Sequence, residues 1–170
     1  LFVKNIRNLI FQQLPQNMDI EAGLDLLKRD KNMQVLINKF GRPDFNLRQD
    51  YFQSLLRSIV FQQLSGKAAQ TIYERFVNLI PKTSNHCPNE VLKLDKDEMR
   101  KAGLSFRKID YVRNLADYFE NNSFQKKDVE RMTDQEISKE LIQIKGIGQW
   151  TVDMFLMFTL NRADILPCTD

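Results

Sequence analysis

Between Thr133 and Leu160 the chain reads as two helices joined by Lys145-Gly146-Ile147-Gly148, a linker with room only to turn. Thr133 followed three residues later by Glu136 is a capping box, so a helix starts there. Its apolar positions Ile137, Leu141, Ile142 and Ile144 are expected to face inward. The second segment, Gln149 to Leu160, is apolar nearly all round and is expected to be buried. The glycines allow positive φ in the turn and let another backbone approach without a Cβ in the way. No Ser, Thr, Asp or Asn caps the second helix, so its first N–H groups point outward at the positive end of the helix dipole. An uncapped, glycine-led helix start is an anion site, and a DNA phosphate fits it. The competing reading is a glycine-rich turn between two core helices.

The rest of the chain is helical in pattern. Tyr51, Phe52, Leu55, Leu56, Ile59 and Val60 form one apolar stripe within residues 48–63. Ser65 can cap a following helix in which Ala68, Ala69, Ile72, Tyr73, Phe76, Val77 and Ile80 repeat the pattern until Pro81. A loop follows, with Thr83, Ser84 and Asn85. A short helix over 96–102 ends at Gly103, a natural C-cap. Ser105 opens a helix with Phe106, Ile109, Val112, Leu115, Ala116 and Phe119 on its apolar side, ended by Asn121-Asn122-Ser123. Phe2, Ile6, Leu9 and Ile10 fit a further helix, broken at Pro15, with 16–20 as loop. No stretch alternates as a strand does, so the fold class is all-α.

Composition excludes several classes. The chain has 170 residues, 42% of them hydrophobic and 28% charged, which is ordinary for a globular protein. No apolar run approaches a membrane span. The first residues lack the layout of a signal peptide. Cys87, Cys168 and His86 are too few for a zinc site or a disulfide framework, and the expected setting is intracellular. Net charge is only +3, so placement says more than size. Arg100, Lys101, Arg107, Lys108 and Arg113 stand against a single acid, Asp110, between Met99 and Arg113. That cluster reads either as an ordinary solvated face or as a nucleic-acid patch.

The run Leu141-Ile142-Gln143-Ile144-Lys145-Gly146-Ile147-Gly148-Gln149-Trp150-Thr151 resembles the hairpin of the helix-hairpin-helix DNA glycosylase superfamily. Its Trp-Thr ending is similar to the 3-methyladenine DNA glycosylase II branch. That superfamily keeps an aspartate about twenty residues past the hairpin, after a Leu-Pro or similar turn. Here Asp170 follows Leu166-Pro167 and lies 22 positions after Gly148. Ser58 to Ala69 and Ala102 to Lys108 resemble the same family, in the same order, so the likeness covers about 45–170. It implies two small helical lobes with the active-site cleft between them. Residues 1–45 would complete one lobe, 46–132 form a central bundle, and 133–170 carry the hairpin and the start of the aspartate loop. Longer bacterial members have a β-rich N-terminal domain that 1–45 cannot make, so the chain resembles the compact form. Family members continue past the aspartate through further helices, so the C-terminal part that completes the pocket is expected to lie beyond Asp170.

The resemblance also implies roles. Asp170 would be catalytic, and Trp150, Met154 and Gln62 would border the base pocket. Gln63, or else Leu64, would be the wedge that fills the space a displaced base vacates. Gly146, Gly148, Gln149, Thr151, Lys145, Ser65, Lys67 and Lys108 would meet DNA phosphate. The carbonyls of Ile142, Ile144 and Ile147 would hold a monovalent cation, Na or K. No other cofactor is required, and no iron–sulfur cluster is expected. The implied partner is double-stranded DNA containing alkylated bases, bound by a monomer, with no membrane involved.

The chemistry can be argued from the residues themselves. Breaking an N-glycosidic bond gives the sugar oxocarbenium character, which a nearby carboxylate stabilises or serves by steering water. An alkylated purine is already cationic and leaves readily. It must first leave the duplex, and aromatic or polarisable walls such as Trp150 and Met154 suit an electron-poor ring. For Met154, core packing explains the residue equally well. Asp170 could instead cap a helix after Pro167, and Asp153 is a competing carboxylate or the polar edge of its helix. Lyase-active superfamily members place a lysine two residues after the second hairpin glycine. Trp150 occupies that position, and an indole nitrogen cannot be the nucleophile. Three readings stand: a monofunctional glycosylase for alkylated purines, a bifunctional glycosylase/lyase, and a non-catalytic DNA-binding module.

Overall fold

The structure is a computed structural model that describes residues 20–43, 50–81, 87–124, 129–162 and 164–167. Among these residues all regular structure is helical, as the periodicity predicts. The helices are α1 (Ile20–Leu27), α2 (Lys31–Phe40), α3 (Tyr51–Phe61), α4 (Gly66–Val77), α5 (Pro88–Lys93), α6 (Lys96–Lys101), α7 (Phe106–Asn121), α8 (Asp134–Leu141) and α9 (Gln149–Phe158). A 3-10 turn, Val129–Arg131, precedes α8. The predicted helix at Phe2–Ile10, the loop of Thr83–Asn85, and His86, Cys168 and Asp170 lie outside the described residues.

The caps follow the sequence closely. Thr133 and Glu136 form the reciprocal capping box of α8: the Glu136 N–H donates to the Thr133 hydroxyl, and the Glu136 carboxylate accepts from the Thr133 N–H at 2.8 Å. Those hydrogen bonds hold the Glu136 carboxyl below the usual carboxylate range. At the end of α6 the Leu104 N–H reaches the Met99 carbonyl and the Gly103 N–H reaches that of Arg100, with Gly103 at φ +110°. This is a Schellman closure, with Met99 and Leu104 both buried beneath it. The Ser105 hydroxyl accepts from the Lys108 N–H at the start of α7.

One core unites α3 to α9. α7 packs on α3, α5 and α6, while α9 packs on α3 and α8. Phe124 sits at the centre, fully buried, with its ring 5.6 Å from Phe119, 6.3 Å from Tyr51 and 6.4 Å from Phe155. Edge-on aromatic packing of this kind adds about 0.5–1.5 kcal/mol per pair beyond area burial, and here it ties α9 to α3 and α7. α1 and α2 pack mainly on each other, and only Leu24 of the pair is buried. No helix among the described residues is long and apolar enough to cross a membrane.

Four expectations need correction. α4 ends at Val77 rather than running to Pro81, and Ala68 is exposed. Phe106 is 68% exposed, because it occupies the first turn of α7, where the Arg100 guanidinium lies 4.5 Å from its ring centre. Ile142 is exposed because it is the C-cap that follows Leu141 at the close of α8, while Ile144 and Ile147 further on are buried in the core. α9 is not buried all round: Trp150 and Phe158 emerge from it.

The two hairpin glycines differ in what they do. Gly146 takes φ +109°, and a Cβ there would stand 2.3 Å from the Tyr111 ring. Gly148 is extended at φ −105°, with nothing within 4 Å of a would-be Cβ. Only Gly146 is conformationally required. Gly146→Ala should therefore lower unfolding free energy by about 2–4 kcal/mol, from the disfavoured φ plus overpacking. Gly148→Ala should stay within about 0.5 kcal/mol of the parent. Urea denaturation of both variants checks this, and equal losses would contradict it.

Candidate active site

The site is built where the end of α3 meets the start of α9. After Phe61 the chain turns sharply, and Gln63 takes φ +56° without being glycine. That left-handed conformation costs a non-glycine residue about 1–2 kcal/mol, so its surroundings must hold it. It leaves Gln63 and Leu64 projecting into solvent, as a wedge requires. The Gln62 side chain points the other way. Its amide Nε2 donates to the Gly146 carbonyl at 3.0 Å and to the Thr151 hydroxyl at 3.3 Å. A single side chain thus ties the α3 turn to the hairpin and to the first turn of α9.

Beside this strut lies a cleft of about 770 Å³. One wall is α9, where Trp150, Met154 and Phe158 succeed one another at every turn. Trp150 is 43% exposed and Phe158 55% exposed. The other wall is α3 and its turn: Ser54, Arg57, Ser58, Phe61, Gln62 and Leu64. The expected pocket residues Trp150, Met154 and Gln62 therefore share one cavity, with Gln63 and Leu64 at its lip. Phe158, Arg57 and Phe61 were not anticipated there. The i, i+4, i+8 spacing of Trp150, Met154 and Phe158 would have revealed Phe158. Arg57 lies over the rings of Phe61 and Tyr73, at 4.1 and 5.1 Å, and donates to Gln70 at 3.0 Å.

The start of α9 has no side-chain cap, as expected, and Gly148 at its N-cap borders the cleft. Lys145 and Lys67 are exposed. Ser65 stands at the N-cap of α4, but its hydroxyl makes no capping bond, so the expected cap is absent and the hydroxyl is exposed. Thr151 is buried, with its hydroxyl taken by Gln62, so only its main chain faces the helix start. The Gln149 side chain, though exposed, is already engaged, accepting from Ser138 at 3.0 Å and donating to Asp153 at 2.7 Å. Of Gln149, it is the main-chain N–H rather than the side chain that is left for an anion at the helix start.

The basic cluster is not one uniform face: Arg100, Lys101 and Arg107 are exposed, while Lys108 and Arg113 are partly buried. Three of its members meet main-chain carbonyls at helix ends. Arg113 donates to Leu92 and Leu94 at the end of α5, and Arg100 donates to Leu104 after α6. Lys108 donates to Val60 at 2.6 Å and to Gln62 at 2.8 Å, at the end of α3. Lys108 was expected to hold phosphate; its ammonium is engaged by these two carbonyls, and partial burial lowers its pKa. Arg107 is exposed and lines a polar notch of about 380 Å³ with Gln63 and Gly148.

Asp153 is 8% exposed and accepts from Gln149. It borders a separate depression with Asp134 and Ser138, not the cleft of Trp150. It is a satisfied internal carboxylate rather than a polar helix edge. Asp170 lies outside the described residues; before it, Ile165 packs against the core and Leu166 is exposed. Among the hairpin carbonyls, that of Ile144 accepts from the Ile147 N–H at 3.0 Å. Those of Ile142 and Ile147 accept no main-chain bond among the described residues.

Comparison with known proteins agrees with this geometry. A DNA-3-methyladenine glycosylase of Schizosaccharomyces pombe is 35% identical over 154 residues, spanning 88% of this chain and 68% of that protein. A DNA-3-methyladenine glycosylase of Saccharomyces cerevisiae is 36% identical over 138 residues, 74% of this chain but only 45% of that protein. The solved structure of the S. pombe 3-methyladenine DNA glycosylase in complex with abasic DNA superposes with a TM-score of 0.75, covering 88% of this chain and 75% of that one. The family model described as HhH-GPD superfamily base excision DNA repair protein matches residues 56–170. The chain belongs to the HhH-GPD superfamily of base excision DNA repair proteins.

Proposed function

We propose that this chain draws an alkylated purine out of duplex DNA into the cleft of Trp150 and hydrolyses its N-glycosidic bond, leaving the strand intact. The observation that carries this reading is the wall of Trp150, Met154 and Phe158, open to solvent beside the uncapped start of α9. Large exposed apolar side chains are costly unless something covers them, and a displaced base is flat, apolar on its faces and the right size. An alkylated purine is also cationic, which favours the electron-rich face of an indole. The names of the yeast relatives point to the same substrate class.

Each element has a task. Gln63, or else Leu64, enters the duplex where the base has left. The free N–H groups at Gly148 and Gln149 hold a backbone phosphate, with Lys145 and Lys67 adding diffuse attraction that weakens with salt. The carbonyls of Ile142, Ile144 and Ile147 suit a hard monovalent cation, since they are neutral oxygen donors at one turn. Such an ion, when bound, supplies positive charge beside that phosphate. Asp170 is the carboxylate that stabilises the sugar as the bond breaks or steers water to it. The protein acts as a monomer and inside the cell.

Two outcomes test this. Asp170→Asn should cut single-turnover release of methylated purine by about 10²-fold or more while duplex affinity hardly changes, since the lost partner acts in the transition state. Retained activity would remove Asp170 from the chemistry. Borohydride should trap no covalent protein–DNA adduct on a lesion-bearing duplex, because Trp150 stands where a Schiff-base lysine would be. Adduct at appreciable yield would instead establish the bifunctional glycosylase/lyase.

A further inference from the structure

α3 ends without a glycine, and its last turn leaves carbonyls that no later residue of the helix can meet. Two of them, Val60 and Gln62, converge on the Lys108 ammonium, 48 and 46 residues further along the chain. Lys108 is itself fixed. Its main-chain N–H is held by the Ser105 cap, and α7, which carries it, packs along α3. A lysine placed there gives up water, and two short carbonyl contacts at the negative end of a helix are what it receives in return. Gln63 is flanked by these contacts: the carbonyl of Gln62 is the one immediately before it. Besides the Gln62 side chain's hold on Gly146 and Thr151, the left-handed φ of +56° at Gln63 is supported by a long bond from the Leu64 N–H to the Phe61 carbonyl at 3.4 Å.

We propose that Lys108 is a positioning residue for base displacement: by binding the carbonyls of Val60 and Gln62 it holds the α3 turn in the shape that presents Gln63 to the duplex. This rests on the reading above of Gln63 as the wedge. Lys108 touches neither base nor sugar and acts only through the turn. Without its ammonium the turn relaxes toward ordinary negative φ at Gln63, and the side chain swings away from the axis it must enter. A purely architectural lysine would predict something different: a loss of stability and activity that does not depend on which side chain stands at 63.

A double-mutant cycle separates the two. Lys108→Met, which keeps the stem and removes the charge, should slow single-turnover base release by about tenfold, the equivalent of one charge-assisted hydrogen bond. Affinity for an undamaged duplex should stay within about twofold, because phosphate contacts lie elsewhere. Introduced into Gln63→Ala, the same change should cost less than about twofold, since the wedge through which it acts has gone. Equal losses in the two backgrounds, no loss in the first, or a silent Gln63→Ala would each overturn the proposal. Should Lys108→Met fail to fold, Lys108→Gln is carried through the same cycle with the same deciding outcomes. Hydrogen exchange at the amides of residues 62–65 provides a readout that needs no catalysis. Faster exchange in the Lys108 variant supports the contact, and unchanged exchange overturns it. Absence of base release by the parent protein would defeat the functional reading, while the exchange result would still decide the role of Lys108.

Discussion

A helix that stops short of a glycine must find other partners for its last carbonyls, and the way α3 meets that demand organises the site. Lys108 takes the carbonyls of Val60 and Gln62, and the Gln62 side chain reaches across to the Gly146 carbonyl and the Thr151 hydroxyl. Three elements distant in sequence, the α3 turn, the start of α7 and the hairpin before α9, are joined at one residue. Each bond is modest in net terms, about 0.5–1.5 kcal/mol or somewhat more with a charge present. Their effect is geometric: they bind the turn that carries the left-handed Gln63 to α7 on one side and to the hairpin before α9 on the other.

The same economy appears along α6 and α7. Arg100, Lys108 and Arg113 sit in a stretch that looks like a cationic surface, yet each answers carbonyls at a helix end. A positive charge near a helix C-terminus is favourable, and partial burial strengthens it. Arg107, Lys145 and Lys67, like Lys101, are exposed. On the proposed function, duplex binding would depend on main-chain N–H groups at a helix start more than on a basic patch. That suits recognition of a backbone bent around a displaced base rather than a flat electrostatic footprint.

What could be read from the sequence is what local rules determine. The capping box at Thr133, the Schellman turn at Gly103, the Ser105 cap and the helix-turn-helix about Gly146 each depend on residues within a few positions of one another. Gln62, Trp150 and Met154 were legible as pocket residues only through the family pattern. What could not be read depends on tertiary partners. The Lys108 ammonium and the Gln62 amide are satisfied 46 to 89 residues away, and no spacing rule announces such a pairing. The side chain of Gln149 looked free for phosphate but is bound by Ser138 and Asp153. Phe106, Ile142 and Phe158 have the right chemistry for a core, but α7 begins at Phe106, α8 closes before Ile142 and α9 turns Phe158 toward the cleft. The pair α1 and α2 escaped notice because it buries so little.

The account comes down to whether an unstacked base occupies the cleft of Trp150. Trp150 is the only tryptophan, and it is half-exposed on the wall of that cleft. Its emission therefore reports the site without labels. Titration with a duplex bearing a methylated purine analogue that resists hydrolysis should quench that emission with saturation at one duplex per chain. An undamaged duplex of the same length should change it far less at equal occupancy. Identical spectra for the two bound duplexes would contradict the account, because they would place the base outside the cleft.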